Sequence, residues 1–170
     1  ARVEDTRAAA ESFRKDMLAG PKVKYYESFD LVRVPYPTRY GLRNAFPRER
    51  VVEFLHLQNR LFVVQFETTE GLKTLLMPPS DHERNGETPY FRRLQDTTPE
   101  IMQRVFVLRQ DTVPDIIARI GLRPEDIDYI SYDHLHTQDV RRWLAGPKPF
   151  FPNAKLLVHR QEWASTLALL

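Results

Sequence analysis

Apolar residues along this chain recur in two regimes. Once the first twenty residues are passed they return at every second position. Beyond residue 98 they return at nearly every fourth. The opening stretch is separate from both. Residues 6–19 set Ala9, Phe13 and Met17 on one helical stripe, pair Glu11 with Lys15 at i,i+4, and stop at Gly20 and Pro21. Residues 1–20 thus read as an N-terminal surface or docking helix, ahead of a single domain at 21–170. In "VKYYESFDLVRV" the β-branched and aromatic residues predict a strand, broken by the Pro-rich "PYPTRYGLRNAFP". "RLFVVQFETTEGLKTLLMPP" predicts a hairpin about "TTEG", with Gly71 supplying a positive φ. "SDHERNGETPY" reads as a polar loop. His56 alternates in "VVEFLHLQ" as a packed strand residue, and His82 in the polar loop reads as solvated.

The longer period begins with a helix at 99–108. In "DTVPDIIARIGLRPED", Thr112 and Asp115 make a capping pattern, Pro114 suits a first turn, Ile116, Ile117 and Ile120 form the buried stripe, and Gly121 ends the helix. "IDYISY" is short and nearly all apolar, as a strand covered on both faces should be. Val140, Trp143 and Leu144 mark another helical face before Gly146 and Pro147, and "AKLLVHR" reads as one more buried strand. A hairpin followed by helix, strand, helix and strand predicts an α/β sandwich around a mixed β-sheet. There is no internal repeat and no low-complexity tract.

At 170 residues the chain has the length of one domain. Its 25 Lys and Arg against 23 Asp and Glu leave a formal charge of +2, too small to imply a polyanionic partner. "YPTRYGLRNAFPRER" does interleave Tyr36, Tyr40 and Phe46 with Arg39, Arg43, Arg48 and Arg50, a mixture able to stack bases and hold phosphates. With so little net charge the same residues read more simply as a surface loop or an oligomer contact, so nucleic acid is not the expected partner. The absence of cysteine excludes disulfides and thiolate ligands, leaving His, Asp and Glu for any metal. No apolar run approaches membrane-spanning length, and the charged opening lacks the apolar core of a signal peptide, so the expected location is the cytoplasm. There is no G-x-S-x-G elbow and no Gly-rich phosphate loop, and Ser131 has no triad context.

The chemistry gathers in "IDYISYDHLHTQDVRRWL". His134 and His136 follow the strand's carboxyl end, where open α/β sheets place ligands. In an extended segment, side chains two residues apart point the same way, so both imidazoles can reach one point. Asp139, at the start of the next helix, can add an oxygen as ligand or base. Two His and one carboxylate leave open positions on a divalent ion, which lowers the pKa of a bound water to ~7. Zinc suits that donor set. The competing reading is plain: polar residues end a buried strand, and an Asp then caps the following helix.

Taken in order, "DTVPDIIARIGLRPEDIDYISYDHLH", "FPNAKLLVHRQEW" and the hairpin "LFVVQFETTEGLKTLLM" resemble the metallo-β-lactamase superfamily over residues 25–165. The resemblance implies an αβ/βα sandwich with a mixed sheet, of which this chain is the N-terminal portion. It also implies a metal-dependent hydrolase carrying one or two Zn2+ ions, cleaving an ester, lactone, amide or thioester of a small-molecule substrate. His134, His136 and Asp139 would be ligands, Asp139 also the catalytic group, and Gln138 a hydrogen-bonding residue behind them. The pattern departs from the family's H-x-H-x-D-H at Gln138 and Asp139, has Arg141 and Arg142 where small residues are usual, and ends its hairpin in Met77 where an Asp is usual. The family's later ligands find no counterpart before "STLALL", and His159 falls in a segment that is not a ligand segment there. A fragment of a longer protein, or a half that pairs with another chain or with its own copy, is therefore expected. The rival reading is a catalytically silent domain of this fold serving as a binding or assembly module.

Overall fold

The computed structural model describes residues 2–38, 54–97, 101, 107–133, 135 and 139–168. Among the described residues, six strands form one mixed sheet: β1 (Tyr25–Pro37), β2 (Phe54–Thr68), β3 (Gly71–Met77), β4 (Leu108–Arg109), β5 (Tyr129–Ser131) and β6 (Lys155–Leu157), in the order β4-β1-β2-β3-β5-β6. The first three are joined antiparallel, and β5 and β6 then add parallel to β3 and to each other. The predicted hairpin is present. Thr68 pairs with Gly71, whose φ of 104 lies in the region that favours glycine, and the Thr68 hydroxyl accepts from the Glu70 N–H at 3.1 Å. The Pro-rich stretch breaks the strand later than expected, since β1 continues through Pro35 to Pro37. Residues 39–53, with Arg39, Tyr40, Arg43, Phe46, Arg48 and Arg50, lie outside the described residues.

The register fixes which side chains share a face. Val63 pairs with Leu76, Leu76 with Ile130, and Ile130 with Leu156, so these stand in a row across four strands. They join Leu31, Leu61, Trp143 and Phe151 and the stripe Val113, Ile116 and Ile117 in one buried core. Each such side chain contributes roughly 1.5–3 kcal/mol over leaving it in water. The opposite face is apolar but half open: Tyr26 stacks on Phe62, Phe66 stacks on Tyr129, and Met77 and Leu157 are exposed. Thus β5 is buried on one face only, and β6, expected to be a buried strand, is an edge whose Lys155 and Leu157 face solvent. The run "KLL" is too short for composition to separate the two cases. His56 lies on β2 as expected, but its side chain is exposed and not packed.

Among the described residues, five α-helices with given bounds accompany the sheet. α1 (Arg2–Ala19) starts four residues earlier than the apolar stripe suggested, because Glu4 and Asp5 complement the helix dipole in its first turn. None of its residues is buried, Phe13 and Met17 included. α2 spans Pro89–Thr97. The helix predicted over 99–108 falls largely outside the described residues, and its last residue, Leu108, belongs to β4. α3 (Val113–Arg119) follows the predicted pattern: the Thr112 hydroxyl accepts from the Asp115 N–H at 3.3 Å, and Gly121 leaves the helix at φ 78. Nothing lies within 4 Å of a Cβ built on Gly121, so Gly121→Ala meets backbone strain alone. We expect a loss of about 1 kcal/mol, measured by urea unfolding, and no change in assembly or solubility. α4 (Arg141–Leu144) and α5 (Arg160–Ala168) follow β5 and β6. Among the described residues, no helix is long and apolar enough to cross a membrane.

Candidate functional site

Because β3 and β5 run parallel, the segments that leave Met77 and Ser131 emerge at the same edge of the sheet. That edge is where ligands gather in open α/β sheets. Residues of three stretches meet there: 78–88, the described residues Tyr132, Leu135 and Asp139, and 141–151. Their hub is the carbonyl of Pro79, which accepts from the indole Nε1 of Trp143 at 2.7 Å and the hydroxyl of Tyr132 at 3.1 Å, both buried. Burial first, and then the charges of Asp81 and Asp139, raise the Tyr132 pKa, which keeps the phenol neutral and donating. Trp143 stacks on Phe151 with ring centroids 5.1 Å apart, and Phe150 packs edge-on against both.

"SDHERNGETPY" is polar, but it is not a solvated loop. Ser80, Asp81 and Asn85 are buried. Asp81 and Asp139 place carboxylates with side chains only 1% and 2% exposed at this edge, and consecutive arginines reach them. Arg142 Nη1 donates to Asp81 at 3.3 Å and to Glu83 at 2.7 Å, while its guanidinium lies over the Trp143 and Phe150 rings. Arg141 Nη2 donates to Asp139 Oδ2 at 2.6 Å and to Glu87 at 2.8 Å. The Asp139 N–H donates to Asn85 Oδ1 at 3.1 Å. Two arginine bridges therefore fasten α4 to the 81–87 turn. Sequence reading missed this lattice, although its signal was visible as the acids of "SDHERNGE" and the "RR" of "VRRW".

Of the predicted site residues, His134, His136 and Gln138 lie outside the described residues. Asp139 is described, and the Arg141 side chain and N–H hold its carboxyl below the ordinary carboxylate pKa despite its burial. Asp139 Oδ1 accepts from the backbone N–H of Arg141, the first residue of α4, which does for this helix start what a capping side chain does. Between the histidines, Leu135 is buried and its N–H donates to Glu162 Oε1 of α5 at 3.3 Å. Asp133 and His159 are exposed. Ser131 donates to the carbonyl of Leu157 at the sheet edge, in keeping with a structural role. Among the described residues, no three His, Asp or Glu side chains converge as a metal group.

His82, expected in solvent, is half-buried. Its Nε2 stands 2.7 Å from the carbonyl of Asp111, and its Nδ1 has no hydrogen-bond partner among the described residues. It borders a polar cleft of about 450 Å³ with Glu83, Arg109 and Asp111. That cleft does not include Asp139.

No family model matches the chain, and no curated protein does. Solved structures do. A probable metal-dependent hydrolase from Staphylococcus aureus matches 86% of this chain with 16% identity and a TM-score of 0.50, over 51% of its own length. A quorum-quenching N-acyl homoserine lactone lactonase matches 86% of this chain with 20% identity and a TM-score of 0.52, over 50% of its own length. An N-acyl homoserine lactone hydrolase, solved with the product N-hexanoyl-L-homoserine bound at its catalytic metal center, matches 86% with 22% identity and a TM-score of 0.53, over 52% of its own length. The chain spans about half the length of these proteins, which are metallo-β-lactamase superfamily members. With its mixed six-stranded sheet and helices in this order, the chain has the fold of the metallo-β-lactamase superfamily over that partial length.

Proposed function

We propose that this chain carries part of the active site of a metal-dependent hydrolase, with His134 and His136 holding a divalent ion at the end of β5. The observation that carries this reading is the anchoring of the described residues around the histidines in the sequence: β5 ends beside β3 at the edge where open α/β sheets place ligands, Leu135 is buried and bonded to Glu162, and the Asp139 N–H is bonded to Asn85. The fold shared with metal-dependent hydrolases and lactonases supports the same reading.

The donor set fits zinc in part. Two neutral imidazoles suit it, whereas Asp139 has both carboxylate oxygens committed to Arg141. When bound, such an ion activates water and polarises a carbonyl, the chemistry that opens an ester, lactone, amide or thioester. The chain's own contribution is positional. Glu162 holds the backbone of Leu135, and Gln138 brings an uncharged amide where the family's pattern has a carboxylate. The substrate class we favour is a small carbonyl compound of the lactone type.

The test is metal content. His136→Ala in the full chain is expected to cut zinc, measured by elemental analysis after dialysis, to well under half of the wild-type value while far-ultraviolet circular dichroism stays the same. Equal zinc in the two proteins sinks the reading. A second reading, a catalytically silent binding or assembly module, draws on the Arg141 bridge to Asp139, since an arginine in that place disfavours a cation. It predicts far less than one ion per chain in the wild type.

A further inference from the structure

We infer that Arg141 is the resident cation of Asp139, and that Asp139 anchors the start of α4 through this ion pair instead of ligating a metal. The inference deepens the proposed reading and rests on His134 and His136 as the ion's ligands. It departs from the role expected of Asp139 in the sequence.

Among the described residues, three donors of Arg141 hold the carboxylate. Oδ1 accepts from the Arg141 N–H at 3.0 Å and from its Nε at 2.9 Å, and Oδ2 accepts from Nη2 at 2.6 Å. A guanidinium presenting Nε and Nη2 to the two oxygens is the bidentate fit that makes arginine the preferred partner of a carboxylate. Glu87 holds the same Nη2 from the other side at 2.8 Å, and Asn85 fixes the backbone of Asp139. The Asp139 side chain is 2% exposed, so solvent has almost no access to it. A divalent ion at its usual ~2.0–2.2 Å from a carboxylate oxygen competes with these bonds and has to sit beside a fixed positive charge. The adjacent pair behaves alike: Arg142 takes the buried Asp81 and the exposed Glu83. At this edge the carboxylates already have their cations, and both are guanidinium groups.

Cobalt(II) alone, added to the full chain, reads the ligand set through its visible absorption bands. Asp139→Asn is expected to keep the wild-type bands and to melt at a lower temperature, because the anchor is weakened and no ligand is lost. Arg141→Gln frees the carboxylate and is expected to shift the bands, and Arg141→Lys, which keeps a cation in place, should restore them. Shifted bands in Asp139→Asn overturn the inference, as do unshifted bands in Arg141→Gln. If Asp139→Asn does not fold, the two Arg141 variants decide. Absence of cobalt bands from the wild type counts against the hydrolase reading by itself. The melting points then decide the ion pair: Asp139→Asn, Arg141→Gln and the double variant losing about the same amount supports it, and additive losses overturn it.

Discussion

Trp143→Ala is expected to lower the unfolding free energy by about 3–5 kcal/mol, the range for removing a large buried aromatic. For a chain of this size the thermal midpoint should fall by on the order of 10 °C. The indole is fully buried, stacks on Phe151, meets Phe150 edge-on and donates to the Pro79 carbonyl at 2.7 Å. Its loss opens a cavity between the sheet edge and α4. It also leaves the Pro79 carbonyl with Tyr132 as its one remaining partner among the described residues. Trp143→Phe separates the two effects. It keeps a ring in the stack and gives up the Nε1 donor, and is expected to cost about 1–2 kcal/mol. Denaturant unfolding of both variants checks the pair. A Trp143→Ala protein within 1 kcal/mol of wild type contradicts the packing described here.

The parts of this fold that were legible in the sequence are those whose cause is local. The hairpin was legible because the alternation of "LFVVQF" and the glycine at 71 act within a few residues of each other. α3 was legible for the same reason: Thr112, Pro114 and Asp115 set its start and Gly121 its end without help from elsewhere. Whether a strand is central or at an edge is a different kind of fact. "AKLLVHR" has the composition of a buried strand, and it is an edge because no further strand pairs beyond β6 in the described sheet. His56 similarly sits on a real strand, and its exposure depends on what lies over that face.

Of the candidate site, what the structure lets one compare with the sequence is its surroundings. "IDYISY" does form a strand beside β3, and the residues after it do leave at the ligand-bearing edge. The partners of Asp139 are a mixed case. Arg141 is two residues away, but the turn that carries Asn85 and Glu87 is 54 residues earlier in the chain. A polar stretch such as "SDHERNGETPY" reads as solvated unless the distant arginines that neutralise it are known. Burial of Asp81 is thus a tertiary effect, dictated by charges that no local window contains.

Those distant charges make the second large prediction. Arg142→Ala is expected to cost about 2–3 kcal/mol, because it leaves the Asp81 carboxylate, 1% exposed, without the cation that faces it. The distances of 3.3 and 3.5 Å to the two oxygens place the effect below the range for a tightly closed buried pair. A smaller part of the loss is packing, since the guanidinium covers the Trp143 and Phe150 rings. Adding Asp81→Asn separates the terms. If the uncompensated carboxylate dominates, the double variant recovers about half of the lost stability, and if ring contact dominates, it recovers none. Equilibrium unfolding in urea at neutral pH measures all three proteins. An Arg142→Ala chain as stable as wild type shows that the bridge between α4 and the 81–87 turn carries no net stability. The anchoring of this end of the sheet then rests on the contacts of Trp143, Tyr132 and Pro79, together with the Arg141–Glu87 bridge and the Asp139–Asn85 bond.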